Sequence, residues 1–247
     1  MIKLENWDVV GWEHAIRGMR NPMNSWAKMD SKMRNTYLEL RELATGVNSW
    51  ENVPCEPYIS VGPNDQDLMM RLAKGGPVHA KYRRMITVYV DITAPLYWWK
   101  EFDTYKVGTV ANSCSTMHKI HAKEFTLEDF SCEHLISDDI GPQLYCDTCM
   151  VHYPLNAMTL LNLTINALNH YRGLYLLSKD KEYWWQMIQL LPTSYNQKRT
   201  VMLNYEVLHN IYHSRKNHKL TEWHFFCDWI KSLPYSEVIC CEETGEA

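Results

Sequence analysis

One stretch limits the folds open to this chain more than any other. From Arg84 to Ile92 the apolar residues Ile86, Val88, Val90 and Ile92 alternate with Thr87, Tyr89 and Asp91. That is the period-two pattern of a strand with one buried face. The period then changes without a linker. Pro95 suits the first turn of a helix, where its missing N–H costs nothing, and Leu96 to Phe102 gives that helix a bulky apolar and aromatic body. The helix is expected to end near Tyr105, and the small-residue stretch Val107 to Thr116 reads as a loop.

Other segments fall into place around this one. The first ten residues, MIKLENWDVV, alternate like a strand, and Gly11 to Met19 and Ser31 to Ala44 read as helices. Asn64-Asp65 is a plausible cap for a helix through Ala73 that Gly75-Gly76 ends. Leu155, Met158, Leu161, Ile165 and Leu168 form a helical stripe ahead of Gly173, with Asn162, Asn166 and Asn169 on an adjacent face. That asparagine face suits solvent or a partner helix, and otherwise the polar wall of a cleft.

At 247 residues and 46% hydrophobic content the chain can bury a sizeable core, and no Gly/Ser/Pro-rich linker or repeat divides it. A formal charge of -4 argues against a broad nucleic-acid-binding face. The basic runs Lys81 to Arg84 and Arg215 to Lys219 read as solvated faces. No apolar run approaches the roughly 18 residues of a membrane span. Eight cysteines without a secretory signal pattern read as cytosolic thiols rather than disulfides, so the expected compartment is the cytoplasm, or the host cytoplasm if the gene is viral.

The order strand, Ala-Pro, aromatic helix, short tripeptide and Ser/Asn-rich loop resembles the flavin-dependent thymidylate synthases. In that family an Arg-His-Arg is followed by seven residues and a Ser, then by a nearby Arg and Tyr. Here the positions match but the identities differ. Thr104, Tyr105 and Lys106 stand for Arg-His-Arg, Cys114 for the Ser, Thr116 for the Arg, Met117 for the Tyr and Glu101 for a helical Gln. A second match follows: Leu191-Pro192, then Asn204, Asn210 and Arg215, then an amphipathic helix from Thr221 to Leu233. Asn204, Leu208, Ile211 and Arg215 share one helical stripe, with roughly 16 Å between its polar ends.

The resemblance implies an α+β fold, a single domain over residues 1–247 with a mixed or antiparallel sheet and a helical C-terminal half. It implies C5 alkylation of a pyrimidine deoxynucleotide monophosphate, such as dUMP, with FAD as the flavin and methylene tetrahydrofolate as the carbon source. By the same resemblance Lys106, Asn204 and Asn210 would contact the cofactor, and Arg215, Glu101 and Thr116 the substrate. It further implies a homotetramer whose sites are shared between subunits.

The replacements have physical consequences of their own. One lysine cannot reproduce the bidentate phosphate grip of two guanidinium forks, so the phosphate site should be weaker. Glu101 in place of Gln would repel a nearby phosphate but could accept from an amino group such as that of cytosine. Cys114 admits three readings: a nucleophile toward C6 of a pyrimidine, a non-covalent pocket contact, or a small residue in an unused loop. His118 and His121 are near enough in sequence to act as a base.

Cys146-Asp-Thr-Cys149, with Cys132, His134 and His152 nearby, offers enough ligands for a zinc site. Against that, there is a single Cys-x-x-Cys whose surroundings match no finger class, so the thiols read first as incidental and a Cys132, Cys146, Cys149, His152 site as the alternative. The ten tryptophans, including Trp98-Trp99 and Trp184-Trp185, suit a core or a subunit interface. Two further functions stay open: a non-catalytic nucleotide-binding or interaction protein on the same fold, and a metal-dependent module centred on residues 132–152.

Overall fold

The computed structural model describes residues 2–33, 59–138 and 141–244, with the backbone alone at 33 and 151–154. Among these lie eight strands: β1 (Lys3–Val10), β2 (Lys32–Met33), β3 (Ile59–Ser60), β4 (Thr87–Pro95), β5 (Val110–Ser113), β6 (Gln143–Cys146), β7 (Val151–Pro154) and β8 (Asn196–Asn204). The fold is α+β, on a four-stranded antiparallel sheet of order β1-β4-β8-β5, with β2-β3 and β6-β7 as separate two-stranded ribbons. Two compact units emerge. The first is Met1–Glu5, Asp91–Thr104 and Ala111–Thr200, and the second is Asn6–Val90, Tyr105–Val110 and Val201–Ala247. No helix among the described residues is long and apolar enough to cross a membrane.

β4 keeps the alternation expected of it. Val88, Val90, Ile92 and Ala94 are fully buried while Tyr89 is exposed, and each of the larger three contributes about 1.5–3 kcal/mol by leaving water. Pro95 is the last residue of the strand and the N-cap of the Leu96–Phe102 helix. The first N–H groups of that helix donate to the Tyr195 carbonyl (Leu96, 3.0 Å) and the Thr193 carbonyl (Tyr97, 3.0 Å). The expected loop from Val107 to Thr116 instead contains β5, and a short helix, Thr116–Lys119, starts at its end.

In the first unit Trp98, Trp99 and Phe102 form a ring cluster with centroids 5.0–5.2 Å apart. Trp98 and Trp99 are buried inside the chain itself, so neither is an interface residue. A second cluster joins Ile120, Phe125, Phe130, Leu161, Ile165, Leu168 and Met187. It rests on the helix Ala157–Ser178 and the helix Lys181–Leu190, with Trp184 against it. The first of these helices passes through Gly173 and ends at Lys179, whose φ of 59° is left-handed. A Cβ at Gly173 would meet nothing within 4 Å, so no close approach requires glycine there. Asn169 exchanges two 2.8 Å hydrogen bonds with the Phe125 backbone, whereas Asn162 and Asn166 face solvent.

The second unit holds the helices Trp12–Arg20, Pro63–Lys74, Tyr205–Arg215, Thr221–Ser232 and Glu237–Cys240. Trp12 meets the Tyr205 and Tyr235 rings edge-on at 5.3 and 5.2 Å. The basic run at 81–84 is not a solvated face throughout. Arg83 is wholly buried, donates to the Ala73 carbonyl at 2.8 Å and pairs with Glu206 and Glu243 at 3.6 and 3.5 Å. Residues 34–44 of the expected Ser31–Ala44 helix lie outside the described residues, and Lys32–Met33 is strand.

Neither Asn64 nor Asp65 caps the Pro63–Lys74 helix. The Asp30 carboxylate does so from elsewhere in the chain, accepting from the N–H of Asn64 (2.9 Å) and of Asp65 (3.0 Å), where the helix dipole favours negative charge. A Cβ on Gly62 would come 2.3 Å from the Asp30 side chain, so this approach requires glycine. Asp65, fully buried, turns back. Its Oδ1 accepts from Arg20 at 2.6 Å, and its Oδ2 accepts from the Ser31 hydroxyl (2.6 Å) and the N–H groups of Ser31 (2.8 Å) and Asp30 (3.0 Å). Burial by itself pushes this carboxyl up, but the Ser31, Asp30 and Arg20 hydrogen bonds outweigh it and hold it below the usual aspartate value.

Because the folded-state value is depressed, the network's stability is present above the unfolded carboxyl pKa of about 3.9 and is lost as pH falls through the folded one. Asp65→Asn leaves Arg20 buried without its counter-charge and turns a donor toward donors. It should cost about 3–5 kcal/mol, measured as a fall in the urea midpoint at neutral pH. The difference from wild type should start to shrink below about pH 4, where the unfolded chain takes up the proton, and go on shrinking as pH falls through the lower folded-state value.

Candidate functional site

The helix Tyr205–Arg215 carries three of the residues that the sequence singles out. Asn204 is its N-cap, with the side-chain oxygen accepting from Val207 N–H at 3.0 Å. Leu208 and Ile211 are fully buried, so the stripe from Asn204 to Arg215 runs along the core as the spacing implied. Asn210 does not join it. Six residues beyond Asn204 it has turned some 240° around the axis, and it is exposed.

Arg215 closes the other end of the stripe between two aromatic rings. Its Nε donates to the Tyr105 hydroxyl at 2.9 Å. The guanidinium carbon lies 5.6 Å from the Tyr105 ring centroid and 4.9 Å from that of Trp223. Cation–π contacts of this kind are worth about 0.5–2 kcal/mol each, rising as water is excluded. The two rings meet edge to face at 6.2 Å, and Trp223 is itself fully buried. A planar, permanently charged fork is therefore held at a fixed angle, the arrangement suited to recognising a phosphate or carboxylate.

Lys106 follows Tyr105 directly and is exposed. The turn continues to Gly108, whose φ of +80° is left-handed. A Cβ there would sit 2.9 Å from the Asn204 amide nitrogen and 3.3 Å from Val207. The Lys106–Gly108 backbone thus lies against the amide of Asn204, and that closeness requires the missing side chain. One cation, one amide N–H2 and bare backbone form a cradle that an anionic or carbonyl-bearing group can fit.

Glu101, Cys114 and Thr116 belong to the other unit. Glu101 lies in the last turn of its helix, half-buried, its carbonyl accepting from Thr104 N–H and hydroxyl. Cys114 extends β5: its N–H donates to the Lys198 carbonyl at 2.9 Å, its carbonyl accepts from the Gln197 amide at 3.1 Å, and its thiol is exposed. Thr116 opens the short helix that Ser115 caps. Met117 contributes its carbonyl to the Trp184 indole N–H at 3.1 Å. His118 is exposed, and the His121 ring packs on Tyr175 at 4.9 Å.

Next to Cys114 the structure assembles a group that sequence reasoning missed. Arg199 lies flat on Trp99, 4.1 Å from the ring centroid, and donates to Gln197 Oε1 at 3.0 Å and to Asp103 Oδ1 at 2.8 Å. Trp99 Nε1 donates to the Gln197 carbonyl at 3.0 Å. The stretch NQKRT carries no apolar alternation, so nothing marked it as strand or its arginine as held against tryptophan.

Around the cysteine pair, no group of three or more His, Cys, Asp or Glu among the described residues is placed to hold a metal ion, and the His152 side chain is not among them. None of the seven described cysteines is in a disulfide.

No protein-family model matches the sequence, and no curated protein is similar to it. The fold finds clear counterparts. It is similar to thymidylate synthase X (ThyX) from Helicobacter pylori with FAD and dUMP, at TM-score 0.57 and 14% identity, over 96% of this chain and 95% of that one. A second complex of the H. pylori enzyme with FAD and dUMP matches at TM-score 0.57 and 13% identity, over 96% and 95%. The UMP/dUMP methylase PolB from Streptomyces cacaoi, bound with 5-Br dUMP, matches at TM-score 0.54 and 12% identity, over 94% and 89%. At these identities the likeness is one of fold, and the chain has the fold of the flavin-dependent thymidylate synthases.

Proposed function

We propose that this chain binds a pyrimidine nucleoside monophosphate and alkylates its base at C5, with Arg215 as the anchor of the phosphate. The observation that carries this reading is the guanidinium fixed by Tyr105 and Trp223, on a fold whose solved counterparts bind dUMP or 5-Br dUMP. Lys106 adds a second, exposed positive charge beside Tyr105. A fork and a point charge together supply directional hydrogen bonds and attraction, the two components of phosphate recognition.

The cradle of Lys106, Gly108 and Asn204 fits part of a flavin dinucleotide: Lys106 for its charge, the Asn204 amide for an acceptor. Bound reduced flavin supplies hydride and methylene tetrahydrofolate the carbon; this chain's residues bind and orient. By the resemblance Asn210 is a further contact to the flavin, from another, exposed face of its helix. Cys114 is the candidate nucleophile and Glu101 the candidate acceptor for an exocyclic amino group. As the resemblance implies, the working enzyme is a homotetramer of single-domain chains in the cytoplasm.

A second reading is favoured by a specific feature, the single lysine left of the former Arg-His-Arg. A chain with so little cationic charge for a dinucleotide would bind the monophosphate alone and perform no chemistry. Colour and turnover separate the two. An enzyme is yellow or becomes so on adding FAD, and forms a C5-alkylated product from dUMP, dCMP or a related monophosphate. A colourless protein that binds the nucleotide but takes up no flavin supports the second.

Calorimetry with dUMP and dCMP tests the anchor. Arg215→Ala should weaken binding by about 2–4 kcal/mol, and Tyr105→Phe, which removes only the orienting hydroxyl, by about 0.5–1.5 kcal/mol. Equal affinity in Arg215→Ala and wild type, or no nucleotide binding at all, would overturn the site. Gly108→Ala should cost about 1–2 kcal/mol of stability through its left-handed backbone and should reduce FAD uptake while sparing nucleotide affinity. Cys114→Ala should abolish turnover with nucleotide affinity intact, and full turnover in that variant removes Cys114 from the chemistry.

A further inference from the structure

Within the second unit, residues 241–244 lie as a strap across elements that are far apart in sequence. Past the short helix Glu237–Cys240, Thr244 N–H donates to the Lys74 carbonyl at 2.9 Å. Glu242 pairs with Lys216 at 2.7 Å and with His213 Nδ1 at 3.5 Å. Glu243 reaches further in, where its Oε1 lies 3.1 Å from His209 Nε2 and 3.5 Å from the buried Arg83. His209 and His213 belong to the Tyr205–Arg215 helix, which starts at Asn204 and ends at Arg215.

The two histidines are placed differently. His209 Nδ1 lies 2.7 Å from the Ile239 carbonyl, an atom that can only accept, so Nδ1 carries a hydrogen. A neutral imidazole has one N–H, which leaves Nε2 as a bare lone pair. That lone pair faces the Glu243 carboxylate, a second group that can only accept. The two make a hydrogen bond only when one more proton enters between them. His213 needs none, because a single N–H on Nδ1 serves Glu242.

The groups around the His209 ring set the pH at which that proton arrives. Burial, then Arg83 of the 3₁₀ helix Ala80–Met85 and His213, whose ring centroid is 4.4 Å away, oppose a charge on the ring. They hold the imidazole below its ordinary value against the Ile239 bond and Glu243, so the ring is neutral at neutral pH. Glu206, on the same helix, pairs with Arg83 at 3.6 Å. The Cys240 and Cys241 thiols are pushed up by burial and stay uncharged. Pro63–Lys74 presents carbonyls, that of Ala73 to Arg83 and that of Lys74 to Thr244. On Thr221–Ser232, Asp228 and Lys231 pair with each other at 2.9 Å.

We propose that residues 241–244 form a proton-operated latch, which docks loosely at neutral pH and tightens on mild acidification as a proton from solvent enters between His209 and Glu243. With the strap open the ring keeps Arg83 and His213 but loses Glu243, so it holds that proton less readily. The docked state therefore has the higher proton affinity. Docking is gained as pH falls through the docked value and lost as pH rises through it. A difference of one unit between the docked and open values makes the change about tenfold.

Hydrogen exchange at the Thr244 amide, followed by NMR on the full chain and corrected for the intrinsic rate at each pH, reads the strap directly. It needs neither flavin nor nucleotide, so its failure leaves the proposed function untouched. Protection should rise about tenfold from about pH 7.5 to about pH 5.5, while the His209 ring nitrogens shift to the doubly protonated form. Glu243→Gln, whose amide can donate to the neutral ring, should stay docked and lose the pH dependence. Lys216→Met should lower protection at both pH values and keep the dependence. Protection that is flat or falls on acidification, or a Glu243→Gln variant that keeps the full rise, would overturn the latch.

Discussion

A carboxylate with no access to water, Asp65, ties together three pieces of chain that are far apart in sequence. It holds Arg20 at the end of one helix, the Asp30–Ser31 segment, and by its own backbone the first turn of the Pro63–Lys74 helix. Such a charge is tolerable only because each of its oxygens is met by donors; desolvation of a bare carboxylate would cost several kcal/mol. The same segment delivers the Asp30 carboxylate to the helix N-terminus. Removal of one partner therefore exposes the others to an unpaid desolvation, and the pieces stand or fall together.

Three other guanidinium groups show how differently one residue type is used in a single chain. Arg83 is enclosed and paired with carboxylates and a carbonyl, a structural role. Arg199 lies against Trp99 with both its neighbours, Gln197 and Asp103, committed to it. Arg215 is steered by the Tyr105 hydroxyl and two rings. The first is enclosed among carboxylates, whereas the last is oriented by a hydroxyl and two aromatic faces. That fixed orientation of a planar fork is what suits Arg215 to the proposed phosphate-binding role.

Helix capping links the fold to the candidate site. Asn204 spends its oxygen on Val207 N–H, which fixes the start of the Tyr205–Arg215 helix and turns the amide nitrogen toward Gly108. Its capping role and its proposed ligand role use different atoms of one side chain, so they do not compete. Asn210, with no such duty, lies exposed on another face. Residues six apart on a helix lie on different faces, so Asn204 and Asn210 do not share one.

Local periodicity determined much by itself. β1, β4, the Leu96–Phe102 helix, the apolar stripe of Leu161, Ile165 and Leu168 and the stripe ending at Arg215 were all legible, since period follows from side-chain order alone, although β1 buries only Val9. What the sequence could not give were the partners that arrive from a distance. Asp30 displaced the expected Asn64-Asp65 cap, a strand filled the stretch expected to be loop at Val110–Ser113, Arg83 went inside, and Arg199 found Trp99. Each outcome depends on which group the chain brings alongside to satisfy a charge or a backbone N–H. That choice is made by long-range closure of the fold, and residue type and spacing carry no record of it.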